Sequence, residues 1–377
     1  MTHSTKDTTA PTTASGFASS PAPIQVRKLP AGPTLDTPRH WFDDDPFMTH
    51  FYNAISSMFP EGERFFIRAV RNYQDKISSP ELVADVRAFV QQEAQHFKEH
   101  DDHTELLTAQ GFGVLRRFNQ FAKSGLNWTS SRMPRFALAS TVATEHITAV
   151  FADQVLRRAD LWLDPMSDDM RALWRWHAIE ETEHKAVAFD VYRECVEQGG
   201  SGGLWLRRIA MAQVIFVFFA ETFFRHILLL AKDRKLTFAT LKHGMTRMWG
   251  RDGLMRSFHP QLWHFFRRDR IIDPYAVASS HGDSASVGCL HGLVVSLPTP
   301  VSIGSVFFLF LAATLTPLSL FVYWLVYIRL FFALLEYAFS LVRRSNVEEK
   351  EEAFYRTRFG SRRRLGISTR IHPKVLA

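Results

Sequence analysis

Cysteine is nearly absent: Cys195 and Cys289 are the only two in 377 residues. They form neither a C-x-x-C nor a paired framework, which excludes a thiolate metal site and a disulfide scaffold and makes a reducing cytoplasm the natural setting. The first 39 residues contain no apolar run. They lack the hydrophobic segment of a secretory signal, and their Thr, Ser, Ala and Pro content predicts a disordered tail over residues 1 to 39. An excess of basic over acidic charge is also lacking outside one end. The formal net charge is +7, yet residues 343 to 377 alone hold ten Lys and Arg against four Glu. The remaining chain is close to neutral and lacks the basic face of a nucleic-acid-binding fold.

Apolar and aromatic residues are abundant instead. Hydrophobic residues make up 46% of the chain and Phe alone numbers 33, so much of the chain must be buried in protein or in lipid. The length allows one large or two medium domains.

The chain is organised around an apolar helical run over residues 169 to 195. At about 3.6 residues per turn, His177, Glu181 and His184 fall on one stripe with Met170, Leu173, Ala188 and Val191. Two imidazoles and a carboxylate thus occupy positions where a core helix carries leucines. Left unpaired, such groups cost several kcal/mol each on burial, and a bound cation is the usual way to offset that.

Other helices supply matching groups. Residues 47 to 59 read as a first amphipathic helix ended by Pro60. In the next helix, residues 61 to 76, Glu63 shares a face with Ile67 and Val70. Ser79 and Pro80 mark a helix start, and the helix that follows carries Glu93 and His96 as an E-x-x-H pair, then His100 and His103. A less regular stretch leads to Pro134. The helix over residues 135 to 158 places Glu145 among Leu138, Thr141, Val142, Ala149, Ala152 and Leu156. Glu181 and His184 make the second E-x-x-H. Gly199 to Gly203 read as a flexible linker, and residues 209 to 231 as a buried or interfacial helix, because Glu221, Arg225 and His226 interrupt it.

Residues 236 to 275 read as short surface helices, and 276 to 302 as a linker. Residues 303 to 328 hold no charge in 26 positions, a membrane-like composition. Pro317 splits that run, and the arm from 303 to 316 is roughly 21 Å long at about 1.5 Å per residue, too short to cross a bilayer. Residues 303 to 342 therefore form a hydrophobic helix or hairpin that crosses the bilayer, lies in one leaflet, or packs in a homodimer interface. The basic tail over 343 to 377 suits the cytoplasmic face of an anionic membrane.

Collected, Glu63, Glu93 with His96, Glu145, and Glu181 with His184 lie on four separate helices. One Glu from each of two helices plus an E-x-x-H from each of two others is the ligand set of a dimetal carboxylate site. The reading is an all-α, ferritin-like four-helix bundle over residues 40 to 275 with extra helices. Two metal ions are expected, iron by preference with manganese or zinc as alternatives. Their ligands are Glu63, Glu93, His96, Glu145, Glu181 and His184, with His177 either a seventh ligand or a histidine that supports them, and the four carboxylates of Glu63, Glu93, Glu145 and Glu181 are the catalytic groups. His100 and His103 extend the Glu93 stripe away from the ions and read as hydrogen-bonding support or another site rather than as direct ligands. His146, Glu180 and Glu183 read as polar groups at the bundle edge.

The stretches at residues 59 to 66, 92 to 96, 144 to 146 and 176 to 190 resemble a bacterial family labelled predicted metal-dependent hydrolase, over roughly residues 40 to 275. The spacing His177-x-x-x-Glu181-x-x-His184 is also similar to that of the di-iron arylamine N-oxygenases, which implies iron and oxygen chemistry. The favoured expectation is accordingly a di-iron oxygenase or oxidase acting on a lipophilic or aromatic small molecule, with dioxygen and an electron donor as partners. The alternatives are a dimetal-dependent hydrolase, in which the ions activate water, and a non-catalytic metal-binding membrane protein.

Overall fold

The computed structural model describes residues 24–197, 201–262 and 265, and the regular structure of that part is helix, with one isolated bridge between Phe42 and Met166. The all-α expectation is met. The apolar segment 303 to 342, the linker before it and the basic tail lie outside the described residues.

Helix α1 (Pro46–Ser56) starts where the Asp45 side chain accepts hydrogen bonds from the backbone N–H groups of Phe47 and Met48, satisfying donors that have no partner within the helix. Pro60 does not end this helix. It sits in the first turn of α2 (Phe59–Arg71), where its missing N–H costs nothing. Helix α3 (Pro80–Leu107) begins as the sequence predicts, with the Ser79 side chain accepting from Leu82 N. It closes in a wide turn over Thr108–Phe112 in which Gly111 takes φ 99°, a backbone region that a side chain disfavours.

The stretch expected to be irregular is a helix, α4 (Val114–Arg132). Its apolar signal is thin because only Leu115 and Ser130 are fully buried. Helix α5 (Pro134–Arg157) follows, then the short α6 (Ala159–Trp162) and α7 (Asp168–Cys195). Helix α8 (Ser201–Lys232) starts earlier than its apolar run and takes Gly202 and Gly203 into its first turn, where a linker was expected. Helices α9 (Phe238–Trp249) and α10 (Leu254–Leu262) complete the described chain, and they reach the core through Met248, Leu254 and Phe258 rather than lying only on the surface.

Four helices form a closed ring: α2 packs on α3, α3 on α7, α7 on α5, and α5 on α2. They are the four that carry Glu63, Glu93 with His96, Glu181 and Glu145. Helix α8 covers α1 and α5 from outside. Its segment Gly202–Lys232 contains an 18-residue window of mean hydropathy 1.9, which makes it long and apolar enough to cross a membrane by length and composition. Its ionisable side chains Arg207, Arg225 and His226 are buried, whereas Trp205 and Phe223 are exposed.

The end of the expected disordered tail is ordered against the ring. Arg27 donates its backbone N–H to Glu180 Oε1 at 2.6 Å and its guanidinium to both oxygens of Glu183. Gln92 Nε2 donates to Gln25 O, and Trp176 Nε1 to Arg27 O. The segment from residue 24 thus straps α3 to α7, through main-chain contacts that a composition argument cannot see.

Candidate metal centre

Inside the ring the sequence-predicted carboxylates are almost wholly removed from water: Glu63 is 1% exposed, Glu93 0%, Glu145 0% and Glu181 2%. His96 and His177 are buried beside them. Candidate ligand atoms of Glu63, Glu93 and His96 lie within 4.8 Å of one another, as do those of His96, His177 and Glu181. Nδ1 of His96 is 4.0 Å from Glu93 Oε1 and 3.9 Å from Glu181 Oε1, so one ring nitrogen points between carboxylates of α3 and α7. The Glu145 charge acts on both Glu63 and Glu93. His184 lies on α7, but its side chain is outside the described residues.

So many buried acids in one place are costly as anions. Burial, together with the charges of Glu181 and Glu145, pushes the Glu63 carboxyl well above the ordinary carboxylate range. Burial and the charges of Glu145, Glu181 and Glu63 do the same to Glu93. Neither oxygen of Glu63 has a hydrogen-bond partner among the described residues. A cation relieves both problems, because it supplies the missing partner and compensates the repulsion. Oxygen-rich donors with imidazole nitrogens suit divalent metals. The residues present fit a metal centre.

His96 has a built support. Its Nε2 meets Glu180 Oε2 at 3.0 Å, and the other oxygen of Glu180 accepts the Arg27 backbone N–H. A carboxylate behind a ligating histidine fixes the ring and raises its basicity. Glu180 is therefore not a bundle-edge group, as the sequence suggested. Falling one residue away from the stripe, it reaches across to α3, and helical spacing alone gives no sign of that.

His177 is held in a similar way. Its Nδ1 lies 2.8 Å from His100 Nε2, and Ser56 Oγ sits between His100 Nδ1 at 2.8 Å and His103 Nδ1 at 2.7 Å. Burial drives His100 well below the usual histidine range and His103 down to about 4, which disfavours the charged form of both. The expectation that they lend support is consistent with this chain. Ser56, on α1, was not singled out because nothing in its sequence surroundings marks it.

A second cluster joins His40, His50 and Asp233. Asp233 Oδ2 lies 2.5 Å from His40 Nε2 and 3.0 Å from His50 Nε2, and Oδ1 accepts from Arg39 Nε at 2.6 Å. Trp41 Nε1 donates to Asn53 Oδ1, which turns Asn53 Nδ2 toward His50 Nδ1. That leaves His50 Nε2 as a donor to Asp233. The cluster is a hydrogen-bonded clamp that ties the residue after α8 to α1 and to the chain just before it.

A helical ring closed around buried acids and histidines is the kind of arrangement that can hold metal, with the candidate donors on the helices rather than on loops. A family model described as predicted metal-dependent hydrolase matches residues 25–269, well over half of the chain. The chain belongs to that family. No curated protein and no solved structure matches it. The family match overturns the expectation of dioxygen activation. The carboxylate and imidazole set that suggested oxygen chemistry serves water activation equally, and no observation of the site selects oxygen. The alternative of a metal-dependent hydrolase is the better supported one.

Proposed function

We propose that the protein is a metal-dependent hydrolase whose ions are held by Glu63, Glu93, His96, Glu145, His177, Glu181 and His184. The observation that carries this reading is Glu63: both of its carboxylate oxygens are buried and lack a hydrogen-bond partner among the described residues, in a cluster of further buried acids. Divalent ions bound there lower the pKa of water and polarise a substrate carbonyl or phosphoryl oxygen.

The chain's own part is to hold the donors and keep the site dry. Glu180 orients His96, and His100 orients His177. Phe59 stacks on the His177 ring at 4.7 Å between centroids, and Trp176 packs edge-on to His96 at 4.9 Å. These rings close the site to bulk water, which strengthens every charge interaction within it. Hydrolysis then adds water across one substrate bond, and the water proton leaves with the departing oxygen. The exposed apolar residues Trp205 and Phe223 on α8 support a place for the protein at a membrane.

The test is metal content and turnover of the purified full-length chain. Divalent metal bound in stoichiometric amount, with hydrolysis of an activated ester or phosphoester lost on chelation and restored by metal, is expected. A chain that takes up no metal, or whose hydrolysis ignores the chelator, overturns the reading.

A further inference from the structure

A cavity of about 400 Å³ lies outside the α2–α5 seam, bounded by α4 and α8. It shares a wall with the metal centre. On α2, the lining residues Phe59, Gly62 and Phe66 flank Glu63, at four residues before, one before and three after it. Phe59 belongs to both spaces, since it lines the cavity and stacks on His177. On α5, the lining residue Thr144 precedes Glu145.

Most polar groups of the lining are occupied by the protein itself; the exception is Glu61, whose Oε1 accepts from Arg64 while Oε2 has no hydrogen-bond partner among the described residues. Thr129 Oγ1 donates to Gly125 O and Thr144 Oγ1 to Ser140 O, each within its own helix. Arg225 is held by Glu221, Asn119 and Ser57. What faces the space is therefore aromatic and aliphatic surface from Phe65, Phe121, Leu126, Trp128, Val214 and Val217. Its size is that of a small-molecule pocket, and such pockets are apolar with few orienting groups. Beside the cavity, Phe121 and Trp128 are also partly open to the outside, at 44% and 42% exposure.

We infer that this cavity holds the hydrocarbon chain of a neutral ester and sets the scissile carbonyl toward Glu63 past Phe59 and Phe66. This rests on the hydrolytic reading above and names its substrate class. Water adds to the carbonyl, the bond to the alcohol oxygen breaks, and acid and alcohol leave, the alcohol oxygen taking one of the water protons. Each methylene drawn into the cavity should raise kcat/KM by about fourfold until the space is full.

The test uses the metal-loaded full chain and p-nitrophenyl esters from acetate to decanoate, with the neutral fluorophore N-phenyl-1-naphthylamine as a binding probe. Two variants, Ala122→Trp on α4 and Val217→Trp on α8, fill the cavity from helices that carry no proposed ligand. Wild type should favour the longer esters and bind the probe, with decanoate ester competing for it. Either variant, if folded by circular dichroism and unchanged in metal content, should weaken probe binding by about tenfold or more and flatten the chain-length preference. Uniform turnover along the ester series, or probe binding unchanged in both variants, overturns the cavity assignment and leaves the hydrolase reading standing. Probe binding that both variants abolish, without hydrolysis of any ester, supports the cavity and defeats ester hydrolysis instead.

Discussion

His177 and His100 are joined ring to ring, with Nδ1 of the first 2.8 Å from Nε2 of the second. The consequence falls on the opposite edge of His177, whose Nε2 is turned to within 2.9 Å of Glu181 Oε1. One histidine thus decides which nitrogen of the other faces the acids.

His100→Phe removes that partner while keeping the volume apolar. Metal affinity should fall by about 10 to 100-fold, measured by competition with a chromophoric chelator. His100→Gln, which can still hydrogen-bond to Nδ1, should recover most of the loss.

Glu180→Ala should lower metal affinity over a similar range, about 10 to 100-fold, because His96 loses the carboxylate at its Nε2. Arg27→Ala provides the contrast. The hydrogen bond from residue 27 to Glu180 comes from the backbone, so this change keeps it and removes the part-exposed fork on Glu183, worth about 0.2–1 kcal/mol, together with the guanidinium contacts to Gln25 O and, at 3.9 Å, to Glu180. An equal loss of metal in both variants would contradict the assigned role of Glu180.

Metal-free protein should lose stability as pH rises. Glu63 and Glu93 have folded-state pKa values raised above their unfolded ones. The folded state therefore binds more protons, and the stability present below the unfolded pKa is lost as pH climbs toward the folded values. Thermal unfolding of the stripped chain should show a Tm that drops from mildly acidic to neutral pH. Glu63→Gln should flatten the slope, and saturating metal should raise Tm by mass action.

Asp233 behaves with the opposite sign. Hydrogen bonds from His50, His40 and Arg39 hold its carboxyl below the usual range, so its contribution is present above the unfolded pKa and is lost as pH falls. Asp233→Asn should cost about 1–3 kcal/mol at neutral pH, read by denaturant unfolding, with the deficit shrinking in acid.

Gly244→Ala tests the approach of α9 to α1. A Cβ at this position would stand 2.0 Å from Phe47 Cγ, and Phe47 is itself packed edge-on against His226 at 4.4 Å. Overpacking of this kind should cost about 1–3 kcal/mol, visible as a lower Tm with unchanged metal content.

The sequence by itself determined the helical class and the inward acids. Helical periodicity is local, so the stripe through His177, Glu181 and His184 and the placement of Glu63, Glu93 and Glu145 among apolar neighbours could be read one helix at a time. The start of α3 was legible for the same reason, since Ser79 and Pro80 act within a single turn. Helix α4 was not, because a helix lying against the outside of the ring needs few apolar residues to stay there. Only the tertiary structure decided the support. Glu180 reaches His96 across 84 residues of chain, Arg27 reaches Glu180 across 153, and Ser56 reaches His100 across 44. Such bonds depend on which helices become neighbours, and a pattern confined to one helix carries no record of that choice.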